Sequence, residues 1–313
     1  MDGRCARVRV PASTANLGPG FDTLGMALDL YAEIEMKVSE KTTVRLSGPH
    51  LEGVPTDKSN LVYKVAQLVF EQAGVSIPEL EISMSSEIPL ARGLGSSAAA
   101  IVGGMYAANT LIGSPLTDDD LFQLAARLEN HPDNIGASLF GGIVVATWDG
   151  IRAEYIRLEP HERLEVLVAI PHFHLETSKA RHVLPEQIAF KDAVYNVSHV
   201  ALLTAALCSG RLDMIRHAMR DRLHQTYRAN LIPGMAKILA EAEHYGALGA
   251  ALSGAGPSIM ALVDKGVDRE RLARFFEQTL KEEKIDCTLL WLTPAKDGVK
   301  QLADEAVDMQ GQK

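Results

Sequence analysis

Apolar residues recur along this chain with two different periods, and the switches between them mark its elements. Ala6–Val10 alternates small or apolar side chains with arginine, as an edge strand does, and runs into Pro11–Gly20, a stretch of small residues that reads as a loop. Leu24–Val38 alternates loosely and predicts one or two strands. The period then becomes helical: Leu61, Val62, Val65, Leu68 and Val69 share a face, with Ser59 as the expected N-cap and Gly74 as the stop. Leu80, Ile82, Met84 and Ile88 alternate again, so this strand is expected to meet a core on one face only.

Ser96–Leu111 is apolar nearly all round and predicts a buried helix. Thr117 with Asp120 three residues later is a capping box opening a helix to about Glu129. Phe140–Trp148 reads as a strand that begins with a Gly-Gly bend. Charge and Pro160 between Ile156 and Arg163 suggest a domain boundary. Beyond it come a strand at Leu164–Ile170, helices at Asp192–Cys208, Leu212–Tyr227 and Pro233–Tyr245 with Gly246 as stop, a strand at Ile259–Val263, a helix at Arg269–Glu283 and a strand at Thr288–Leu292. This is an α+β layered pattern in two domains, 1–155 and 156–302, with a polar tail at 303–313 expected to fray. No long-period repeat interrupts it.

Composition narrows the classes. The 313 residues carry 31 Lys and Arg against 40 Asp and Glu, a net charge of −9, and no basic run, so a nucleic-acid partner is not expected. Phosphate can still be bound, but at a local site. The three cysteines, Cys5, Cys208 and Cys287, are far apart and suit neither a disulfide framework nor a zinc site, which favours a reducing compartment. No stretch approaches the roughly 20 apolar residues of a membrane span, and the N-terminus lacks a signal-peptide core. The expected location is cytoplasmic.

The segment Pro89–Ala99 (PLARGLGSSAA) carries the chemistry. Gly93 and Gly95 let backbone N–H groups approach a ligand, and Ser96 and Ser97 open a helix whose first N–H groups and dipole favour an anion. It lacks the lysine of a Walker loop. It formally fits G-x-G-x-x-A, the dinucleotide fingerprint, but the preceding strand alternates where a Rossmann strand would be apolar throughout. The acidic residues at the right distance, Asp118–Asp120, begin a helix instead of ending a strand. Taken alone, the segment also fits a glycine-rich turn before a core helix.

Two further loops change that balance. Pro11–Asp22 (PASTANLGPGFD), Pro89–Ala99 and Ala251–Ser258 (ALSGAGPS) resemble, in order and spacing, the three motifs of the GHMP kinases, over roughly residues 5 to 300. Ala15–Gly25 looks like the homoserine kinase branch, where sugar and mevalonate kinases carry a Gly-Glu-His type of sequence. Glu129–Asn134 (ENHPDN) is similar to that branch's Glu-Gly-His-Pro-Asp-Asn, with Asn130 departing. Thr177–Pro185 and Arg228–Gly234 are also similar to its segments.

The resemblance implies an N-terminal domain like domain 2 of ribosomal protein S5 and a C-terminal ferredoxin-like α/β plait, with the active site between them. It implies ATP and L-homoserine as substrates, Mg²⁺ as cofactor and a homodimer. ATP is expected along Pro89, Leu90, Ala91, Arg92, Gly93, Leu94, Gly95, Ser96, Ser97, Ala98 and Ala99, with Asn60 and Val62 near adenine. L-Homoserine carries an ammonium, a carboxylate and an alcohol. Asp22 is the expected ammonium partner, Arg181 and Arg228 the carboxylate clamp, and Asn16 and His131 the remaining polar lining. Ser97 and Glu129 are the expected metal ligands. Asp133 could be mistaken for a metal ligand, but beside Pro132 a role in shaping the turn is expected at least as strongly.

Asn16 and Asn134 are the candidate catalytic residues. Asn134 stands where mevalonate kinase has an aspartate base, and an amide cannot accept a proton at neutral pH, so Asn134 is expected to orient the alcohol. The third motif is expected to brace the phosphate loop. The remaining histidines, His224 among them, read as surface or satisfied structural residues. The alternatives are another GHMP kinase acting on a different small alcohol and a non-catalytic sensor on the same fold.

Overall fold

The computed structural model describes residues 4–303. In chain order the first lobe contains β1 (Cys5–Asn16), β2 (Gly20–Val38), β3 (Thr43–Ser47), α1 (Leu61–Gln72), β4 (Leu80–Ser86), α2 (Ser96–Leu111), α3 (Asp118–Glu129), α4 (Asp133–Phe140), β5 (Ile143–Trp148) and β6 (Ala153–Leu158). The second contains β7 (Leu164–Pro171), α5 (Thr177–His182), α6 (Phe190–Ser209), α7 (Ile215–Ala218), α8 (Gln225–Arg228), α9 (Met235–Glu241), β8 (Gly249–Leu252), β9 (Ile259–Asp264), α10 (Arg269–Glu282) and β10 (Cys287–Leu292), after which β11 (Lys300–Gln301) returns to the first.

The first sheet grows around β2. One edge of this 19-residue strand pairs with β1 along most of its length. The other edge divides: Leu24–Met26 pairs with β5, and Ala32–Val38 pairs with β4, which in turn takes β3 in parallel. The second sheet, in the order β10-β7-β9-β8, is antiparallel throughout. Both are far from a parallel doubly wound sheet, so the dinucleotide alternative fails. α2 packs between β1 and β2 on one side and α1 on the other, which fixes the direction of its N-terminus. After β10 the chain recrosses: Ala295 N–H donates to Ala27 O, Val299 N–H to Ser138 O, and β11 pairs with Val8 and Arg9 of β1.

The periodic segments behave as their pattern predicts. α2 runs from Ser96 to Leu111, and Thr117 and Asp120 form both halves of the capping box. Other expectations need correcting. Pro11–Asn16 is strand and not loop, because pairing with β2 continues to Asn16, and the connection shrinks to residues 17–19. β1 is not a bare edge, since β11 covers it at Val8 and Arg9. The cap of α1 is Asn60, whose Oδ1 accepts the Val62 N–H at 2.8 Å, while Ser59 bonds to Asp57. The helix expected over Leu212–Tyr227 is broken. The Asp221 carboxylate accepts the N–H groups of Leu223, His224 and Gln225, which starts α8 afresh. Phe140 ends α4, so the strand begins at Ile143, after the Gly-Gly bend. Most of the tail expected to fray lies outside the described residues. Among those described, no helix is long and apolar enough to cross a membrane.

Candidate active site

The loop between β4 and α2 is gripped from both sides. Gly93 has φ +78°, and a Cβ there would run into the Ser253 carbonyl oxygen. Ser253 Oγ donates to Gly93 O at 2.6 Å, and Ser258 N–H to Arg92 O at 3.3 Å, so the third motif braces the loop as its sequence suggested. From the other side Ser13 N–H donates to Leu94 O at 3.2 Å. Gly95, with φ +68°, heads α2, and a Cβ on it would strike Ser13 Oγ. No side chain caps α2. Its leading N–H groups therefore stay available to an anion, with the helix dipole adding to their pull.

Two cavities meet at this helix head. A polar one of about 240 Å³ is lined by Ala91, Gly93, Gly95, Ser96, Ser97 and Ala98 together with Asn16, Asp22, Glu129, His131, Asn134, Arg181 and Arg228. An apolar one of about 330 Å³ is lined by Asn60, Val62, Met84, Ile88, Leu90 and Ala99, and shares Ala91, Ser96 and Ser97 with the first. Three residues expected along ATP line neither cavity. Leu94 is buried in the core, and Pro89 and Arg92 line a separate cavity behind the loop.

Asp22 and Arg181 form a two-pronged ion pair, Nη2–Oδ1 2.8 Å and Nη1–Oδ2 3.0 Å. Burial works against the Arg181 charge, but the Asp22 hydrogen bond, with the charges of Asp22, Asp133 and Glu129, raises its pKa further. Arg228 is 1 % exposed. Its Nε donates to Ala180 O at 2.9 Å and its Nη1 to Gly254 O and His224 Nδ1, both at 3.2 Å. Burial, with Arg181 nearby, pushes this guanidinium down to about 10, still cationic at neutral pH. Asn16, at φ +72°, holds two motifs together: Nδ2 donates to Gly254 O at 2.9 Å and Oδ1 accepts the Asp22 N–H at 3.0 Å.

On the opposite wall, Asn134 Oδ1 accepts from Ser13 Oγ at 2.9 Å. The buried Asp133 carboxylate accepts the Asn134 N–H at 2.6 Å and lies 3.2 Å from His131 Nδ1. Burial alone would lower the His131 pKa, but Asp133, by hydrogen bond and charge, and then Glu129 carry it above the ordinary value. Ser97 Oγ donates to Glu129 Oε1 at 3.0 Å, so the two expected metal ligands do meet. All the residues expected around the substrate converge. Five lining residues were not singled out from sequence as ligand-facing: Ala15, Phe21, Thr177, Gly254 and Ala255. Thr177 begins a segment whose likeness to the branch could have flagged it.

Family models of the GHMP kinases match at both ends of this architecture, the N terminal domain at residues 60–142 and the C terminal domain at residues 203–282. The chain belongs to the GHMP kinases. Within them its relatives are homoserine kinases. It is 51% identical over 258 residues to homoserine kinase of Deinococcus radiodurans, covering 82% of this chain and 84% of that one. It is 43% identical over 296 residues to homoserine kinase of Carboxydothermus hydrogenoformans, covering 94% and 96%. The solved homoserine kinase of Cytophaga hutchinsonii superposes with a TM-score of 0.86 at 30% identity, over 96% of this chain and 98% of that one.

Proposed function

We propose that the chain transfers the γ-phosphoryl group of ATP to the side-chain hydroxyl of L-homoserine, giving O-phospho-L-homoserine and ADP for threonine biosynthesis. One observation carries this reading: an acid, Asp22, and two guanidiniums, Arg181 and Arg228, share a small cavity with the uncapped head of α2. A zwitterion needs the first set and a triphosphate the second. Adenine lies in the apolar cavity, the phosphates along Gly93, Gly95, Ser96 and Ser97, and the amino acid with its ammonium on Asp22 and its carboxylate on Arg181 and Arg228. A planar guanidinium matches a carboxylate better than an ammonium can.

Asn134, steadied by Ser13, orients the alcohol. No protonatable base is needed at that position if the transition state is loose, the proton passing late from the alcohol to an oxygen of the transferred phosphoryl group while positioning and charge neutralisation supply the catalysis. Ser97 Oγ and Glu129 Oε1, hard oxygens 3.0 Å apart beside the phosphate site, suit Mg²⁺, which commonly takes one or two protein oxygens with the rest from phosphate and water. When bound, Mg²⁺ would offset phosphate charge. A cytoplasmic homodimer completes the proposal.

The test is coupled ADP release with L-homoserine, mevalonate, L-serine and L-threonine, each with and without Mg²⁺. Turnover selective for L-homoserine and dependent on Mg²⁺ is expected. Preference for mevalonate, or no ADP with any acceptor, would overturn the reading.

A further inference from the structure

His224 has no place in the reaction as described, yet it touches two parts of the site. Its side chain is fully buried, and its ring stacks on Phe21 with centroids 5.0 Å apart. Nε2 lies 2.8 Å from Gly18 O, in the short connection between β1 and β2 that leads to Asp22. Nδ1 lies 3.2 Å from Arg228 Nη1. A carbonyl oxygen only accepts and a guanidinium only donates. The two contacts therefore define one protonation state: neutral imidazole, hydrogen on Nε2, lone pair on Nδ1.

We propose that His224 is a positioning residue, which in this tautomer aims Arg228 at the substrate carboxylate and ties the Asp22 loop to the second lobe. This rests on the reading of Arg228 as a carboxylate ligand. The surroundings are built to keep the state. Asp221, whose carboxylate also accepts from Asn196 Nδ2 at 2.9 Å, fixes the backbone of His224 through an N–H bond of 2.9 Å. Asn196 Nδ2 in turn reaches Pro19 O at 3.2 Å, a second tie to the same loop. The charged groups facing the ring are Asp221, Arg228 and Asp22. Burial lowers the imidazole pKa and Arg228 adds to this, outweighing the pull of Asp221, the Gly18 carbonyl and Asp22. A proton gained on Nδ1 would set two donors against each other and turn Arg228 aside.

Two variants separate the two bonds, because Asn places its amide at the level of Nδ1 and Gln reaches the level of Nε2. With His224→Asn the acceptor for Arg228 is kept, and KM for L-homoserine should stay within about 3-fold of wild type. With His224→Gln only the Gly18 bond is kept, and that KM should rise roughly 10-fold or more while KM for ATP holds. The preference for L-homoserine over 3-aminopropan-1-ol, which lacks the carboxylate, should fall by a similar factor. Equal losses on both acceptors, or a normal KM in His224→Gln, would overturn the proposal.

Arg228→Ala is the control. If it raises KM for L-homoserine while His224→Gln does not, only the positioning role fails. If it leaves that KM unchanged, the carboxylate reading fails with it. Should the variants not fold, ¹⁵N NMR of the wild-type histidines decides: protonated Nε2 with bare Nδ1 is expected for His224, and any other state overturns the proposal.

Discussion

Asp22 and Arg181, 159 residues apart in sequence, meet as a two-pronged ion pair on the wall of the polar cavity. In the proposed site each charge holds the place of half a zwitterion. In the proposed binding mode an arriving amino acid gives its ammonium to one and its carboxylate to the other, so the exchange leaves the net charge of the cavity walls and ligand in balance. Replacing Asp22 by Asn breaks that balance. KM for L-homoserine should rise by roughly 10- to 100-fold, the loss of a charge-assisted contact. Arg181→Lys should cost about 10-fold, because the fork is lost though the charge remains. Steady-state kinetics at saturating ATP check both, and an unchanged KM would remove this pair from substrate binding.

Asn134 faces the reacting alcohol in the proposed geometry without being able to take its proton. Asn134→Ala should lower kcat by about 100-fold with a smaller effect on KM, as expected for a group that aligns reacting atoms. Ser13→Ala, which removes the bond steadying Asn134 Oδ1, should give a weaker version of the same pattern. Full turnover of Asn134→Ala at saturating substrate would sink the assignment.

Glu129→Gln keeps the shape of the Ser97 contact and removes the charge. The Mg²⁺ concentration for half-maximal rate should move up by roughly 10-fold, a carboxylate being the harder ligand. The measurement is a Mg²⁺ titration at fixed ATP. An unshifted midpoint would place the metal elsewhere.

His131 holds its proton more tightly folded than unfolded. Its contribution to stability is therefore complete below the ordinary histidine pKa and is lost as pH rises through the raised folded value. Asp133→Asn removes the hydrogen bond and charge that lift it, so the NMR titration midpoint of His131 should fall. A midpoint that stays in place would show that Asp133 is not the cause.

The long periodic elements were legible because local pattern and tertiary demand agree: α2 begins at Ser96, just after a glycine that no other residue could replace without striking Ser13. The misreadings share a different cause. Pro11–Asn16 is made of small residues because α4 packs close, with Ser138 Oγ within 3.3 Å of Pro11 O, and small residues alone do not distinguish a crowded strand from a loop. The break in Leu212–Tyr227 depends on one buried carboxylate folding back onto its own backbone. Which residues would surround a substrate could be named from motif likeness. That Asp22 already pairs with Arg181, and that Arg228 leans on His224, could not, because both rest on distances between residues that no local pattern couples.

The recrossing after β10 has a mechanical consequence. The lobes are joined by two spans of chain, one at residues 159–163 and one at residues 293–294, not by a single tether. The spans are fastened near each other: Arg157 Nη2 donates to Lys296 O at 2.5 Å, and Lys296 Nζ lies 3.8 Å from Glu159 Oε1. Away from the spans the lobes are packed together as well: Val8 and Leu28 share one buried apolar cluster with Val168, Leu203 and Met260, and Gly254 N–H donates to Ala15 O at 3.2 Å. The second lobe is thus held at both of its ends by the first, so unravelling it from either end has to break contacts made in the first sheet, and the α4 segment carrying Asn134 is bonded to the returning chain through Ser138.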